Sequence, residues 1–439
     1  MSLTFVLSLI LWNCPISFAG NLDKIQKLVQ KEYPYLDQLY RYLHTHPELS
    51  FHEKNTATKL AQELRNLGFQ VTENVGGYGF VAVLKNGQGP TVLVRTDLDA
   101  LPVEEKTGLE YASKVRTKDD QGNEVPVMHA CGHDAHMTVF IGTARVLSAL
   151  KDSWRGTLVM IGQPAEEKGA GAKAMLADGL FTRFPRPDYC LALHVNAGLP
   201  AGTVGYRGGY ALANVDAVDI TIRGVGGHGA YPHTTKDPVV LAAQVILALQ
   251  TIVSREIPPI EPAVVTVGSI HGGTKHNIIP DQVHLQLTLR SYSDAVRNQT
   301  IEAIKRITRG LAIAAGVPED RMPIVTVQDE YTPATYNDPQ LTERLAKVFK
   351  QVLGEKNVIE TEPVMGGEDF GRYGRVEPRI PICMYWLGSV DPVKYEKYKK
   401  EGKQLPSLHS SQFAPARELT IQTGVKTMSA AVLDLMQRP

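Results

Sequence analysis

Midway along the chain the residue pattern changes rhythm, and that change restricts the possible folds more than any other feature. VDAVDITIRG alternates like a half-exposed strand, and DPVVLAAQVILALQTIVSR reads as a long helix. AVVTVGSI and QVHLQLTLR are strands, VRNQTIEAIKRITRGLAIAAG is a second helix, and MPIVTV is a last strand. The order β-α-β-β-α-β is the ferredoxin-like arrangement, a unit with its own core. Two helices protect only one face of such a sheet, so exposed helices or edge strands remain available for a homodimer. At 439 residues the chain is too long for one core. The expected division is a signal peptide over 1–19, a first segment of a larger domain over 20–211, an inserted domain over 212–328, and a second segment of the larger domain over 329–439.

The flanking segments read differently. Ser50-Phe51-His52-Glu53 has the spacing of a capping box, expected to open a helix that stops near Gly68. The apolar strands FVAVL and TVLVR are joined by the turn-rich NGQG, and TLVMIG, CLALHV and PICMYWLG follow later with helical stretches between them. Strands alternating with helices imply an α/β sheet. Asp97, Asp99, Glu166, Glu167 and His194 all fall at or just past the carboxyl ends of these strands, where open α/β sheets place their ligands.

Lys+Arg and Asp+Glu both total 46, so no charge bias points to nucleic acid or an anionic membrane, and the expected partner is a small molecule. The apolar run from Leu3 to Trp12, followed by Ser17-Phe18-Ala19, reads as a secretory signal, which places the mature protein in the periplasm or outside the cell. Cleavage after Ala19 leaves Cys131, Cys190 and Cys383, too few and too odd a set for a disulfide framework.

Cys131 lies in MHACGHDAH. Gly132, His133 and Asp134 are poor company for a core cysteine. A nucleophile needs an oriented base, and His133 is very close in sequence for that role. A metal site needs imidazole, thiolate and carboxylate donors from separate loops, and Glu166, Glu167, His194 and His409 supply them. Spacing favours metal binding without closing the other readings. Glu166 and Glu167, adjacent in QPAEE after a buried-type strand, can point apart, one to bind metal and one to move protons.

Taken in order, LHTHPELSFHE, RTDLDALP, MHACGHDAHM, QPAEEKGAGAK, ALHV, GGHGAYPH, NIIPD, GGEDF and LHSSQF resemble the successive motifs of the dinuclear metal amidohydrolases that cleave N-acyl amino acids. Hippurate hydrolases, bacterial aminoacylases and plant auxin-conjugate hydrolases belong to that family. The resemblance runs from about Leu43 to Phe413 and implies a metallopeptidase-like catalytic domain with an inserted dimerisation lid. It further implies that Cys131, His133, Glu167, His194 and His409 ligate two divalent metals, whether zinc, manganese, cobalt or nickel. Glu166 resembles the family's general base, and Asp99 a carboxylate that orients a metal ligand, with Asp97 its less certain neighbour. His228, from the lid, would polarise the scissile carbonyl, within its own chain or across a dimer. Asn277 and Arg290 would hold the substrate's carbonyl or carboxylate. LHSSQF and GGEDF depart from the family's commoner LHSPK and GSEDF where the substrate side chain is accommodated.

The expected chemistry is amide hydrolysis by water activated between two metals, with Glu166 relaying the proton to the departing amine. A dipeptidase or carboxypeptidase of the same fold and a non-catalytic binding protein are the rival readings. His44 and His46 are expected near the floor of the site, and His129 and His136 as structural neighbours of the ligands.

Overall fold

The computed structural model describes residues 18–329 and 331–437. Most of the expected signal, residues 1–17, lies outside the described residues.

The larger unit is built on an eight-stranded mixed sheet. Its spatial order is Gln70–Glu73, Phe80–Asn86, Gly156–Gln163, Thr91–Asp97, Tyr189–Pro200, Ile382–Val390, Val204–Tyr206 and Val358–Glu360. The strands on either side of the NGQG turn are not partners. Gly156–Gln163 inserts between them, antiparallel to Phe80–Asn86 and parallel to Thr91–Asp97. Both faces of the central strands are covered, which explains their continuous apolar runs. Val92 and Val94 enter one core with helices Phe18–Thr45, His133–Ala149 and Arg417–Leu435, while Leu93 enters the core on the opposite face.

Close helix packing fixes the segment that follows Cys131. A Cβ on Gly142 would lie 2.5 Å from Val425 Cγ2, and one on Gly424 would lie 2.6 Å from Val139 Cγ2. Glycine at these two positions lets helices His133–Ala149 and Arg417–Leu435 approach, and so sets where the first turn of His133–Ala149 stands.

The second unit is a four-stranded antiparallel sheet in the order Ala263–Gly272, Gln282–Ser291, Asp216–Arg223, Ile324–Val327. Helices Pro238–Thr251 and Asp294–Ala314 pack on one face around Ile220, Leu285, Leu249 and Ile304. The other face is polar. Alternation along Gln282–Ser291 buries Val283, Leu285, Leu287 and Leu289 and turns Gln286, Thr288 and Arg290 outward. The chain enters this unit beside Val215 and leaves it beside Thr332, which pair in an isolated bridge.

The capping box does not form. Helix Lys54–Asn66 is capped by Glu48, whose carboxylate accepts from the backbone amides of Asn55 and Thr56 at 3.2 and 2.8 Å. Ser50 donates instead to Asp99, and Glu53 accepts from Ala165 N, so both side chains turn to the interior. The motif implies a helix from Phe51, whereas the helix opens at Lys54, where Glu48 rather than Ser50 reaches the first amides.

Candidate metal centre

The ends of strands Thr91–Asp97 and Gly156–Gln163, strand Tyr189–Pro200, the turn into helix His133–Ala149 and one C-terminal loop converge at one end of the large sheet. Cys131 and His133 flank Gly132, whose φ of 78° places it in the left-handed region. A Cβ on Gly132 would also meet Val195 Cγ2 at 2.6 Å, so the tight entry into helix His133–Ala149 requires glycine. His194 lies on strand Tyr189–Pro200, Glu166 and Glu167 follow Gly156–Gln163, and His409 sits on the loop before helix Arg417–Leu435.

The donor atoms gather in three overlapping sets, each within 4.8 Å: Cys131 with His133 and His194, Cys131 with Glu167 and His409, and His133 with Glu166 and Glu167. His409 Nε2 lies 3.3 Å from Cys131 Sγ and 3.5 Å from Glu167 Oε2, and His194 Nε2 lies 3.5 Å from the same sulfur. Cys131 is thus common to two of the sets.

The imidazoles are aimed. Nδ1 of His133 donates to Asp99 O and Nδ1 of His194 donates to Val195 O, both at 2.8 Å. A carbonyl only accepts, so each Nε2 keeps its lone pair directed into the cluster, the orientation that metal-binding histidines need. His133 Nε2 and Glu167 Oε1 are buried with no hydrogen-bond partner among the described residues. The two atoms face one another across 3.7 Å, beyond hydrogen-bond reach, and a cation between them would satisfy both. A thiolate, imidazoles and carboxylates from separate loops also form a donor set suited to zinc and related divalent ions.

Behind the ligands stands a buried polar layer. Asp99 accepts Ser50 Oγ at 2.6 Å and the backbone amides of Glu166 and Glu167 at 3.1 and 3.0 Å. Asp97 accepts from His136 Nδ1 at 2.8 Å and from Arg95 at 2.7 Å. Nε2 of His136 accepts Val195 N, so both its nitrogens are committed and it supports the His194 strand without ligating. Arg95 continues to Glu368, Asp369 and Gln163. Residue-type reasoning left Arg95 and Glu368 without roles, although a charge inside the apolar strand TVLVR was a visible signal that a buried partner must exist.

Negative charge dominates the cluster. Burial, then Glu368 and Glu167, push the Glu166 carboxyl well above its usual range, and burial raises Glu167 to about 7 against the opposing pull of His133. Burial disfavours a charged His133, but Asp97, Asp99 and Glu167 outweigh it and raise that ring to about 10. Burial and the two glutamates push the Cys131 thiol well up. The protein alone does not stabilise a thiolate there; divalent cations would reverse that balance.

Two cavities open on the cluster. One, of about 730 Å³, is walled by Cys131, His194 and His409 and by the apolar Leu212, Val364, Trp386, Leu405 and Leu408. The other, of about 290 Å³, shares Cys131, His194 and His409 and adds Glu166, Glu167, Lys168 and Arg290. Arg290 makes no hydrogen bond or ion pair among the described residues. The nearby Asp216 is already held by Arg297 at 2.6–3.0 Å.

His228 and Asn277 stand apart from these walls. They sit together at the small antiparallel pair Gly227–His228 with Ile278–Ile279, where Gly229 N donates to Asn277 O, and both side chains are exposed. The histidines expected at the floor are elsewhere. His44 pairs with Asp134 and Glu105 at 2.6 and 3.1 Å, and His46 stacks on Tyr42 at the surface. Helix Phe18–Thr45 carries His44 past the back of the ligand helix, away from the cavities. His129 is buried with neither ring nitrogen bonded among the described residues.

Comparison with known proteins agrees with this geometry. The model of peptidase family M20/M25/M40 matches residues 93–404. Thermostable carboxypeptidase 1 of Saccharolobus solfataricus is 36% identical over 396 residues, covering 89% of this chain and 93% of its own. Hippurate hydrolase of Campylobacter jejuni is 37% identical over 340 residues, covering 76% and 84%. Among solved structures, the YXEP protein of Bacillus subtilis, described as a dinuclear metal binding peptidase, is similar with a TM-score of 0.74 at 29% identity, covering 93% of this chain and 100% of that one. The chain belongs to peptidase family M20/M25/M40, and is a hydrolase of amide bonds whose clustered donors fit a pair of divalent metal ions.

Proposed function

We propose that the protein hydrolyses the amide bond of N-acyl amino acids. The observation that carries this reading is Arg290, an uncommitted guanidinium on the wall of the cavity that also holds Glu166. It offers a fork for the free carboxylate of an amino acid. The larger apolar cavity on the same cluster offers room for an acyl group of benzoyl size or larger.

Cys131, His133, Glu167, His194 and His409 would hold the two metals. When bound, these supply Lewis-acid polarisation of the carbonyl and activation of a water. Glu166 faces Glu368 and Asp369 while Glu167 faces His409, so the neighbouring carboxyls divide their tasks. Glu166 takes the proton of the attacking water and passes it to the leaving nitrogen, a transfer favoured by its raised proton affinity. Glu53 and Asp99 hold the turn on which both stand.

His228 is proposed to stabilise the developing oxyanion, with Asn277 beside it, by reaching the site of a second subunit. Its exposure supports this, as does the outward face of helix Pro238–Thr251. There Val239, Val240 and Leu247 are 44, 55 and 72% exposed, an apolar surface suited to a homodimer. Export is proposed on the apolar N-terminal run alone, and recovery of the native protein in the cytosolic fraction would overturn it.

Arg290 would also accept the C-terminal carboxylate of a peptide, and a relative bears the name carboxypeptidase. Both readings are tested by one screen of metal-loaded protein beside its Glu166→Ala variant. The substrates are N-benzoyl-glycine, N-acetyl amino acids, auxin conjugates and dipeptides, and metal content is measured on both proteins. Turnover of an acylated amino acid, abolished in the variant with its metals retained, supports the proposal. Preference for dipeptides selects the second reading, and no turnover by the metal-loaded wild type overturns both.

A further inference from the structure

Ser50 and Glu53 have the spacing of a local helix cap, yet the helix opens at Lys54 and its amides at Asn55 and Thr56 belong to Glu48. Glu53 is fully buried and spends its Oε1 on two amides, its own segment's Phe51 N and the distant Ala165 N, each at 2.8 Å. The next two amides, of Glu166 and Glu167, go to Asp99, and Ser50 Oγ holds Asp99. Three successive backbone N–H groups are therefore gripped by two carboxylates anchored on residues 50–53.

The grip falls where the backbone resists. Ala165 has φ 49°, the left-handed region that a residue with a Cβ occupies only when its surroundings impose it. The turn is also too crowded to relax freely: Ala170 N and Gly171 N both donate to Ala165 O, and a Cβ on Gly171 would lie 1.6 Å from Pro164 O. The conformation at Ala165 sets the directions in which the next two side chains leave the backbone. Both reach His133, and beside it Glu167 lies against His409 while Glu166 lies against Glu368 and Asp369.

We infer that Glu53 is a positioning residue, whose hydrogen bond to Ala165 N locks the turn that sets how Glu166 and Glu167 reach into the cluster. The inference rests on the roles proposed for those two glutamates. What Glu53 supplies is an oxygen at the right distance, so a glutamine replaces it and a shorter carboxylate does not.

The test uses the full chain and the variants Glu53→Ala, Glu53→Asp, Glu53→Gln and Glu48→Ala. Zinc affinity is measured by competition with a chromophoric chelator, followed by kcat, KM and melting temperature. In Glu53→Ala and Glu53→Asp the weaker zinc site is expected to lose roughly 10-fold or more in affinity, and kcat to fall by a similar factor at nearly constant KM. Glu53→Gln is expected to restore both to within about 3-fold of wild type, well inside the 10–100-fold loss usual for such partners. Glu48→Ala, a capping loss only, is expected to lower the melting temperature with zinc affinity unchanged. If Glu53→Ala folds poorly, Glu53→Asp carries the comparison. The inference is overturned by wild-type zinc affinity in Glu53→Asp, by Glu53→Gln failing as Glu53→Asp does, or by Glu48→Ala losing zinc equally. Because zinc affinity is read without substrate, it judges Glu53 even where the wild type hydrolyses no acylated amino acid.

Discussion

Cys131 and His409 are 278 positions apart in the sequence, yet Sγ of one lies 3.3 Å from Nε2 of the other. The loop bearing His409 is tied to the ligand segment by His409 N donating to Ala130 O at 2.9 Å. His409 itself takes a left-handed φ of 65° to present its ring. One cysteine therefore closes the site by drawing together the two ends of the catalytic domain.

Loss or oxidation of Cys131 is expected to disable both metal positions at once, since its sulfur belongs to two of the donor sets. Cys131→Ser should bind less zinc by metal analysis and lose activity in parallel. Metal loading should change the rate at which peroxide inactivates the protein, and beyond the sulfenic stage a thiol reductant should not restore it. Equal rates of inactivation with and without metal would argue that the thiol is not a ligand.

Arg290→Ala is expected to cost about 1.5–3 kcal/mol in kcat/KM, the range for a hydrogen bond to a charged group. The loss should be confined to substrates with a free carboxylate. An N-acyl amino acid amide, lacking that charge, should be turned over equally by wild type and variant. A uniform loss on both substrates would make Arg290 a structural residue of the lid.

The second unit could be read in the sequence because each of its strands buries only one face, and period-2 alternation survives translation into burial along Gln282–Ser291. The clustered donors were legible for a different reason: soft and charged side chains stood beside apolar strand ends, where they have no use in a core. Three things were not legible. Glu53 looked like a local cap because Glu48, which does the capping, lies outside the short motif window. Glu368 acquires meaning only through Arg95, 273 positions away. His44 looked like a residue of the site because of its sequence neighbours, but helix Phe18–Thr45 directs it to Asp134 and Glu105 instead. Non-local pairing of buried charges has no period, so sequence pattern does not report it.

His228→Ala is expected to lower kcat by about 10²–10³, the usual cost of an oxyanion donor. If His228 serves the partner's site, mixing Glu166→Ala with His228→Ala protein should recover activity. A mixed dimer contains one site with both groups intact. The recovery should follow subunit exchange in time and vanish on dilution to monomer. No recovery on prolonged mixing would place His228 in its own chain's site or outside catalysis.

The ion pairs of His44 predict a specific loss of stability with alkali. Burial disfavours a charged His44, but hydrogen bonds and charge from Asp134 and Glu105 outweigh it and raise the ring from 6.5 to about 10. A group whose folded pKa is raised stabilises the fold fully below its unfolded value and ceases to do so as the pH passes its folded value. The contribution is therefore whole below about pH 6.5, declines steadily above it, and is gone beyond about pH 10. Urea midpoints of the metal-free protein should fall across this window more steeply for wild type than for His44→Gln. The variant should be the less stable at pH 6, and the two curves should converge at the alkaline end. Parallel curves would show that His44 is neutral in the fold and that Asp134 and Glu105 are stabilised by other partners.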